Sequence, residues 1–529
     1  MKLNIALMIV TLVVLISVSQ MMAQEKAAKP EKLGMVHFPV SCSAAAQAQF
    51  DRAVALLHSF WVEESEKQFT AVTETDPSCV MGHWGIAMSL LQNPLSEPGR
   101  VRAWKKGWAA IENAKSVGTR TERERDYIAA IELMYREAET RDPRTRALAY
   151  EKAMEQLYLR YPEDREAAIF YALALNITAL PTDKTYANQL KAGAILEKLF
   201  AEQPDHPGIA HYIIHSYDYP PLASRGLAAA RHYAEIAPSS SHGLHMPSHI
   251  FTQLGMWQDS IQSNIAAGAR TKEVGGDPSH SRHFLIYVYL QGAQDRAAKQ
   301  VLDEVNTLRL DPPTLGRHTT FAVIPARYAI ERRAWSEAAG LEPRAGLEPA
   351  ATAITYFARA MGSVRIGDAA NARKAIEKLH SLREAFGKTK ERAWWGDQIQ
   401  IQHRAAAAWL ARLEGKNEEA LKLMRSTADL EDSFETHVST PAPFVFAREL
   451  LGEMLLESNE PGQALKEFEA ALSKEPNRFN GLYGAARAAE LSGGGEKAKT
   501  YYARLVEICE KAETERAELK QAKAFLAKK

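Results

Sequence analysis

Apolar residues recur along this chain at intervals of three and four, in short blocks broken by polar or Pro/Gly-rich punctuation. That period marks helices with one buried face. Residues 44–77 set the pattern: one helix, a break near Trp61 to Glu63, and a second helix ending at Asp76-Pro77. VMGHWGIAMSLLQ then opens the next helix, with Trp84, Gly85 and Ala87 on its inner face. The theme returns at residues 149–175, with Pro162 between two helices, and most regularly over 187–300. Gly255 and Gly292 mark bends there between paired helices. The stretch AWSEAAGLEPRAGLEPAAT at 334–352 reads as a loop. Helices resume after it, pair again over 395–432, and end in a charged capping helix. No segment carries the alternation of a strand.

Helix pairs of this kind cannot bury their apolar faces alone, so they stack. Leu451-Gly452, Ala464, Phe468, Ala471 and Pro476 fall in tetratricopeptide (TPR) order, and Tyr483-Gly484, Ala498 and Tyr502 repeat it. The expected fold is therefore all-α: a TPR-like helical-repeat solenoid, a right-handed superhelix of helix hairpins. Its expected organisation is a signal peptide at 1–23, a linker at 24–43, an N-terminal solenoid at 44–340, a loop at 341–352 and further repeats at 353–529. Trp61, Trp84 and Trp257 are expected to pack in repeat cores.

Composition narrows the function little. The chain is 46% hydrophobic and 25% charged, with 65 basic and 65 acidic residues, so charge points neither to nucleic acid nor to an anionic membrane. Lys2 followed by the apolar run Ile5–Val18 and Ser19-Gln20-Met21-Met22-Ala23 reads as a cleaved secretory signal. The run is short for a membrane span, and no later segment is apolar enough to cross a bilayer. The expected location is the periplasm or cell envelope. Export permits disulfides, and Cys42 and Cys79 lie 37 residues apart near the starts of successive repeats, either bridged or as two buried thiols.

Histidine does change the picture. Nine of the 16 histidines fall within residues 206–283. His211, His215 and Asp218 are spaced i, i+4, i+7; His242, His245 and His249 are spaced i, i+3, i+7; His280 and His283 are spaced i, i+3. Each set lies on one helix face. His215, His249 and His283 are 34 residues apart in turn, the TPR period, although the frame drifts by about one turn against Gly255 and Gly292. All three sets fall on first helices of a pair, which line the concave groove of a TPR superhelix. His211, His215, Asp218, His242, His245, His249, His280 and His283 thus form a candidate metal site. Imidazole suits a divalent transition metal; in an exported protein zinc or copper leads, with iron behind. HYIIH and HMPSH lack the glutamate of HExxH, so acid/base work would fall to Asp218, or to Glu166, Tyr217 or Tyr287. Pro247 requires a kink or a helix start near Met246, which would leave His242 and His245 in an irregular lead-in. His58, His83, His232, His318, His380, His403 and His437 are expected to be packing residues, and His206 to belong to the loop before its helix. Arg327, Arg332 and Arg333 either bind an anionic group or line solvated faces.

HPGIAHYIIHSYD at 206–218, HGLHMPSHIFTQLGMW at 242–257 and HSRHFL at 280–285 resemble motifs of a family of bacterial exported TPR proteins, as do DPSCVMGHWGIAM at 76–88 and ARELLGEMLLE at 447–457. The resemblance covers most of the mature chain, implies the fold and the site position, and transfers no activity. Three functions follow as expectations: a binding or scaffold protein with a histidine-lined groove able to take a metal and a protein or peptide ligand; a metal-dependent hydrolase or oxidase; or a metal-free interaction module.

Overall fold

The computed structural model describes residues 31–96, 99–101, 103–309, 315–386, 393–437 and 439–528. The expected signal peptide lies outside the described residues. Every regular element described is a helix, and consecutive helices pack against one another as hairpins. The fold is an all-α helical-repeat solenoid of TPR-like hairpins with no strand among the described residues. None of the described helices is long and apolar enough to cross a membrane.

The local rules account for the boundaries. Ala44–His58 is capped by the Ser43 hydroxyl, which accepts the Ala46 N–H. Val62–Thr75 follows, then Val80–Ser89. Gly85 sits where the third helix crosses the second: a Cβ there would come within 2.2 Å of the Phe69 ring. Trp84 is buried among Phe38, Phe50, Tyr127 and Phe170. Cys42 and Cys79 are joined by a disulfide, while Cys509 is a buried free thiol. Trp257 is buried as expected, but Trp61 is only half-buried, at the start of its helix under the Arg270 guanidinium. Residues 341–348 run without helix before Pro349–Arg365, which begins at its own proline.

Three hairpins matter for the site: Pro207–Tyr217 with Ala223–Ile236, the pair Ser241–His245 and Pro247–Gln253 with Trp257–Glu273, and Ser279–Gln291 with Asp295–Thr307. Pro247 breaks one helix into two short ones, but Met246 between them keeps helical dihedrals (φ −55°, ψ −36°). His242 and His245 therefore lie on a short helix, not in an irregular lead-in. Distant segments are tied to one another along the array. Ser239 N–H donates to the Lys32 carbonyl (3.2 Å), and Glu435 N–H to the Pro181 carbonyl (3.2 Å). The C-terminal units return to the middle of the chain: the Trp257 indole donates to the Asn477 carbonyl (3.0 Å), and Arg478 pairs with both Glu331 and Glu449. Arg327 is buried and donates to the Ala442 and Pro443 carbonyls, Arg332 pairs with Glu337, and Arg333 with Glu453 and Glu518.

Candidate metal centre

The eight singled-out residues do not converge on one point. Six of them form two adjacent triads. In the first, His211 and His215 stand one turn apart on Pro207–Tyr217, and His242 reaches across from the next hairpin. Nε2 of His211 lies 3.0 Å from Nε2 of His215 and 3.0 Å from Nε2 of His242. The other His211 nitrogen, Nδ1, donates to the His58 carbonyl at 2.6 Å, which leaves the lone pair on Nε2. One ring nitrogen carries one lone pair and takes one N–H donor, so hydrogen bonding explains only one of the two 3.0 Å contacts. A tetrahedral ion explains both, since bonds of about 2.0–2.1 Å set its ligand nitrogens about 3.3 Å apart.

The second triad repeats the first one hairpin later. His245 and His249 again stand one turn apart, and His280 comes from the following hairpin. The Nε2 atoms of His245 and His249 face each other at 3.1 Å. Nδ1 of His249 donates to Asp218 Oδ2 at 2.7 Å, and Nδ1 of His245 to Asn264 Oδ1 at 2.8 Å. The Asn264 amide cannot be reversed without loss, because its nitrogen donates to the Ser260 carbonyl. With both Nδ1 atoms donating elsewhere, the two Nε2 atoms face one another, an arrangement that a shared cation would stabilise. Within each triad the three ligand atoms lie within 4.8 Å of one another. These are histidine clusters placed to chelate a divalent metal ion.

Each triad is capped by a phenylalanine. Phe60, held at φ 49°, lies 4.5 Å from the His211 ring and 5.4 Å from that of His242. Phe284 lies 4.8 Å from the rings of His245 and His249. Burial pushes His211 and His280 down to about 3, and pushes His215, His242 and His245 well below the ordinary imidazole value; neighbouring imidazoles add to each shift. Neutral rings with free lone pairs are the metal-binding form.

Asp218 and His283 take other places. Asp218 sits behind His249 as a hydrogen-bond acceptor, and Gln253 also donates to it (3.2 Å). His283 belongs to neither triad; its Nε2 is buried without a hydrogen-bond partner, and burial and the Arg327 cation push it down. The repeat explains this. A shift of 34 residues carries His211 and His215 onto His245 and His249, and a second shift reaches Ser279 and His283. The third copy has lost one of the pair.

A third cluster was not anticipated. His58 and His206, expected as a packing residue and a loop residue, both donate to Glu166, from Nε2 at 2.9 Å in each case. Tyr212 O–H completes His58 (3.1 Å), and His206 Nδ1 caps its helix by accepting the Ile209 N–H. Burial pushes Glu166 up, but the two imidazoles outweigh it and hold the carboxyl down at about 2. Every proton in this cluster has a place, so hydrogen bonding accounts for its geometry, while its three ligand atoms, like those of the triads, lie within 4.8 Å of one another. Through its carbonyl, His58 joins this cluster to the first triad. Asn264 had a signal in the sequence: it falls on the buried face with Trp257, Ser260, Ile261 and Ala267. His58, 153 residues from His211, had none.

No family model matches the chain, and no curated protein matches it. Solved structures of helical-repeat proteins are similar at low level. A human IFIT1 dimer with PPP-AAAA is 13% identical, with 81% of this chain and 90% of that chain covered, at a TM-score of 0.38. A tetratricopeptide repeat protein from Parabacteroides merdae is 9% identical over 68% of this chain and 97% of its own, at 0.23. The P58(IPK) TPR domain is 15% identical over 69% and 100%, at 0.22.

Proposed function

We propose that this is an exported, transition-metal-binding helical-repeat protein in which His211, His215 and His242 hold one ion and His245, His249 and His280 another. The observation that carries this is the facing Nε2 pair of His245 and His249 at 3.1 Å, both with their Nδ1 protons committed elsewhere. An all-imidazole donor set favours zinc or copper, and the absence of a carboxylate from either triad counts against iron. The Cys42–Cys79 bridge supports an oxidising compartment. Three protein ligands per ion, with a position left open, is the catalytic pattern more than the structural one. A metal-dependent hydrolase or oxidase is therefore the second reading.

Elemental analysis of protein purified from its native compartment tests the first reading. Stoichiometric zinc or copper is expected in the wild type, and its loss in the double variant His215→Ala/His249→Ala. Substoichiometric metal that the double variant leaves unchanged would remove it. Turnover of ester and phenol panels by the metal-loaded protein then separates enzyme from binder.

A further inference from the structure

The two triads are nearly continuous. Five of the six ring pairs within them have centroids 4.4 to 6.2 Å apart. Across the boundary, His215 to His249 is 6.2 Å and His242 to His245 is 6.3 Å. The step between triads is thus scarcely longer than the longest step inside one. They are also interleaved: the short helix Ser241–His245 gives His242 to one triad and His245 to the other. The hairpin that supplies His211 and His215 also supplies Asp218, which orients His249. Four of the six rings are buried, and only His242 and His280 are partly exposed. Phe60 and Phe284 pack against the rings of the two triads.

We propose that the two triads act as one centre that holds two copper ions and takes up dioxygen between them. This rests on the metal-binding reading above. Six imidazole donors suit copper in both its oxidation states. Among the described residues, Asp218 is the one carboxylate hydrogen-bonded to a triad ring. A buried site with so little compensating charge resists any change in total charge. Dioxygen uptake by a reduced pair makes none. Each Cu(I) gives one electron, the O=O bond becomes the O–O single bond of peroxide, and copper–oxygen bonds form. No proton moves, and two Cu(II) with one peroxide dianion carry the same net charge as two Cu(I). Copper supplies this kind of O₂ chemistry when protein ligands leave positions open.

The full-length protein, loaded anaerobically with Cu(I), tests the proposal. Two coppers per chain are expected. Admitting oxygen is expected to bring a near-ultraviolet peroxide-to-copper charge-transfer band, while the sample, silent in paramagnetic resonance as Cu(I), stays silent because the two Cu(II) spins couple. His280→Ala and His242→Ala should each leave one copper that gives a full signal and no band. Folding of the variants is checked by circular dichroism, and the wild-type spin count decides alone if they fail to fold. Two coppers with a full spin count, or no reaction with oxygen, would overturn the paired centre while the metal-binding reading stood. Failure to retain any copper or zinc would bring down that reading, and the inference with it.

Discussion

At the scale of single residues, the site depends on groups that bind nothing themselves. Asp218 and Asn264 fix which nitrogen of His249 and His245 carries the proton, and so which one is presented to an ion. Loss of such a hydrogen-bond partner ordinarily costs about 10–100-fold in metal affinity. Asp218→Asn is therefore expected to weaken one of two bound ions by about that factor, read by competition with a chromophoric chelator, and to leave the other unchanged. Equal weakening of both, or of neither, would refute the orienting role. Glu475, far from the triads along the chain, offers a pH test. Burial pushes its carboxyl from 4.5 up to about 8, against the opposing pull of Arg478. The folded chain thus keeps a proton that the unfolded chain gives up near 4.5. The stability this contributes is full below 4.5 and lost as pH rises through about 8. Glu475→Gln should be near neutral in thermal melts at pH 5 and stabilising at pH 9; equal midpoints at the two pH values would refute the raised carboxyl.

At the scale of helices, small residues decide how closely hairpins approach. A Cβ on Gly484 would meet the Phe468 ring at 2.2 Å, as one on Gly85 would meet Phe69. Gly484→Ala should cost about 1–3 kcal/mol by overpacking, seen as a lower midpoint in a thermal scan; an unchanged midpoint would mean that the Phe468 ring swings away freely. These glycines were legible in the sequence because the pattern that places them is short in range. The same holds for the caps, the hairpin breaks and the i, i+4 histidine pairs. Their grouping was not legible. Whether His242 joins His211 or His245 depends on the tilt between hairpins, which no spacing along the chain encodes. The 34-residue alignment through His283 pointed to three equivalent sets, whereas the pair needs both members and Ser279 stands in for one. Pro247 left two geometries open, and Met246 resolves them by keeping helical dihedrals on both sides of the break.

At the scale of the molecule, a stacked array passes stability mainly between neighbours, so a ligand on three consecutive hairpins strengthens those hairpins first. Metal at 100 times its dissociation constant adds about 2.7 kcal/mol to whatever folds with it. The return contacts extend that unit. Trp257 to Asn477, Asp295 to Arg516 and Gln291 to Phe479 tie the hairpins that carry the triads to the C-terminal helices. The helix Ala369–Phe386 lies between these segments along the chain and pairs outward, Arg373 to Glu414. Hydrogen exchange with and without zinc should therefore show slowing in Pro207–Tyr217, Pro247–Gln253 and Ser279–Gln291, a smaller slowing in Phe479–Leu491, and little in Ala369–Phe386. Uniform slowing along the whole chain would mean that the array unfolds as one unit. Slowing confined to the three histidine helices would mean that the return contacts carry no coupling, and that the C-terminal units rest on the centre without sharing its stability.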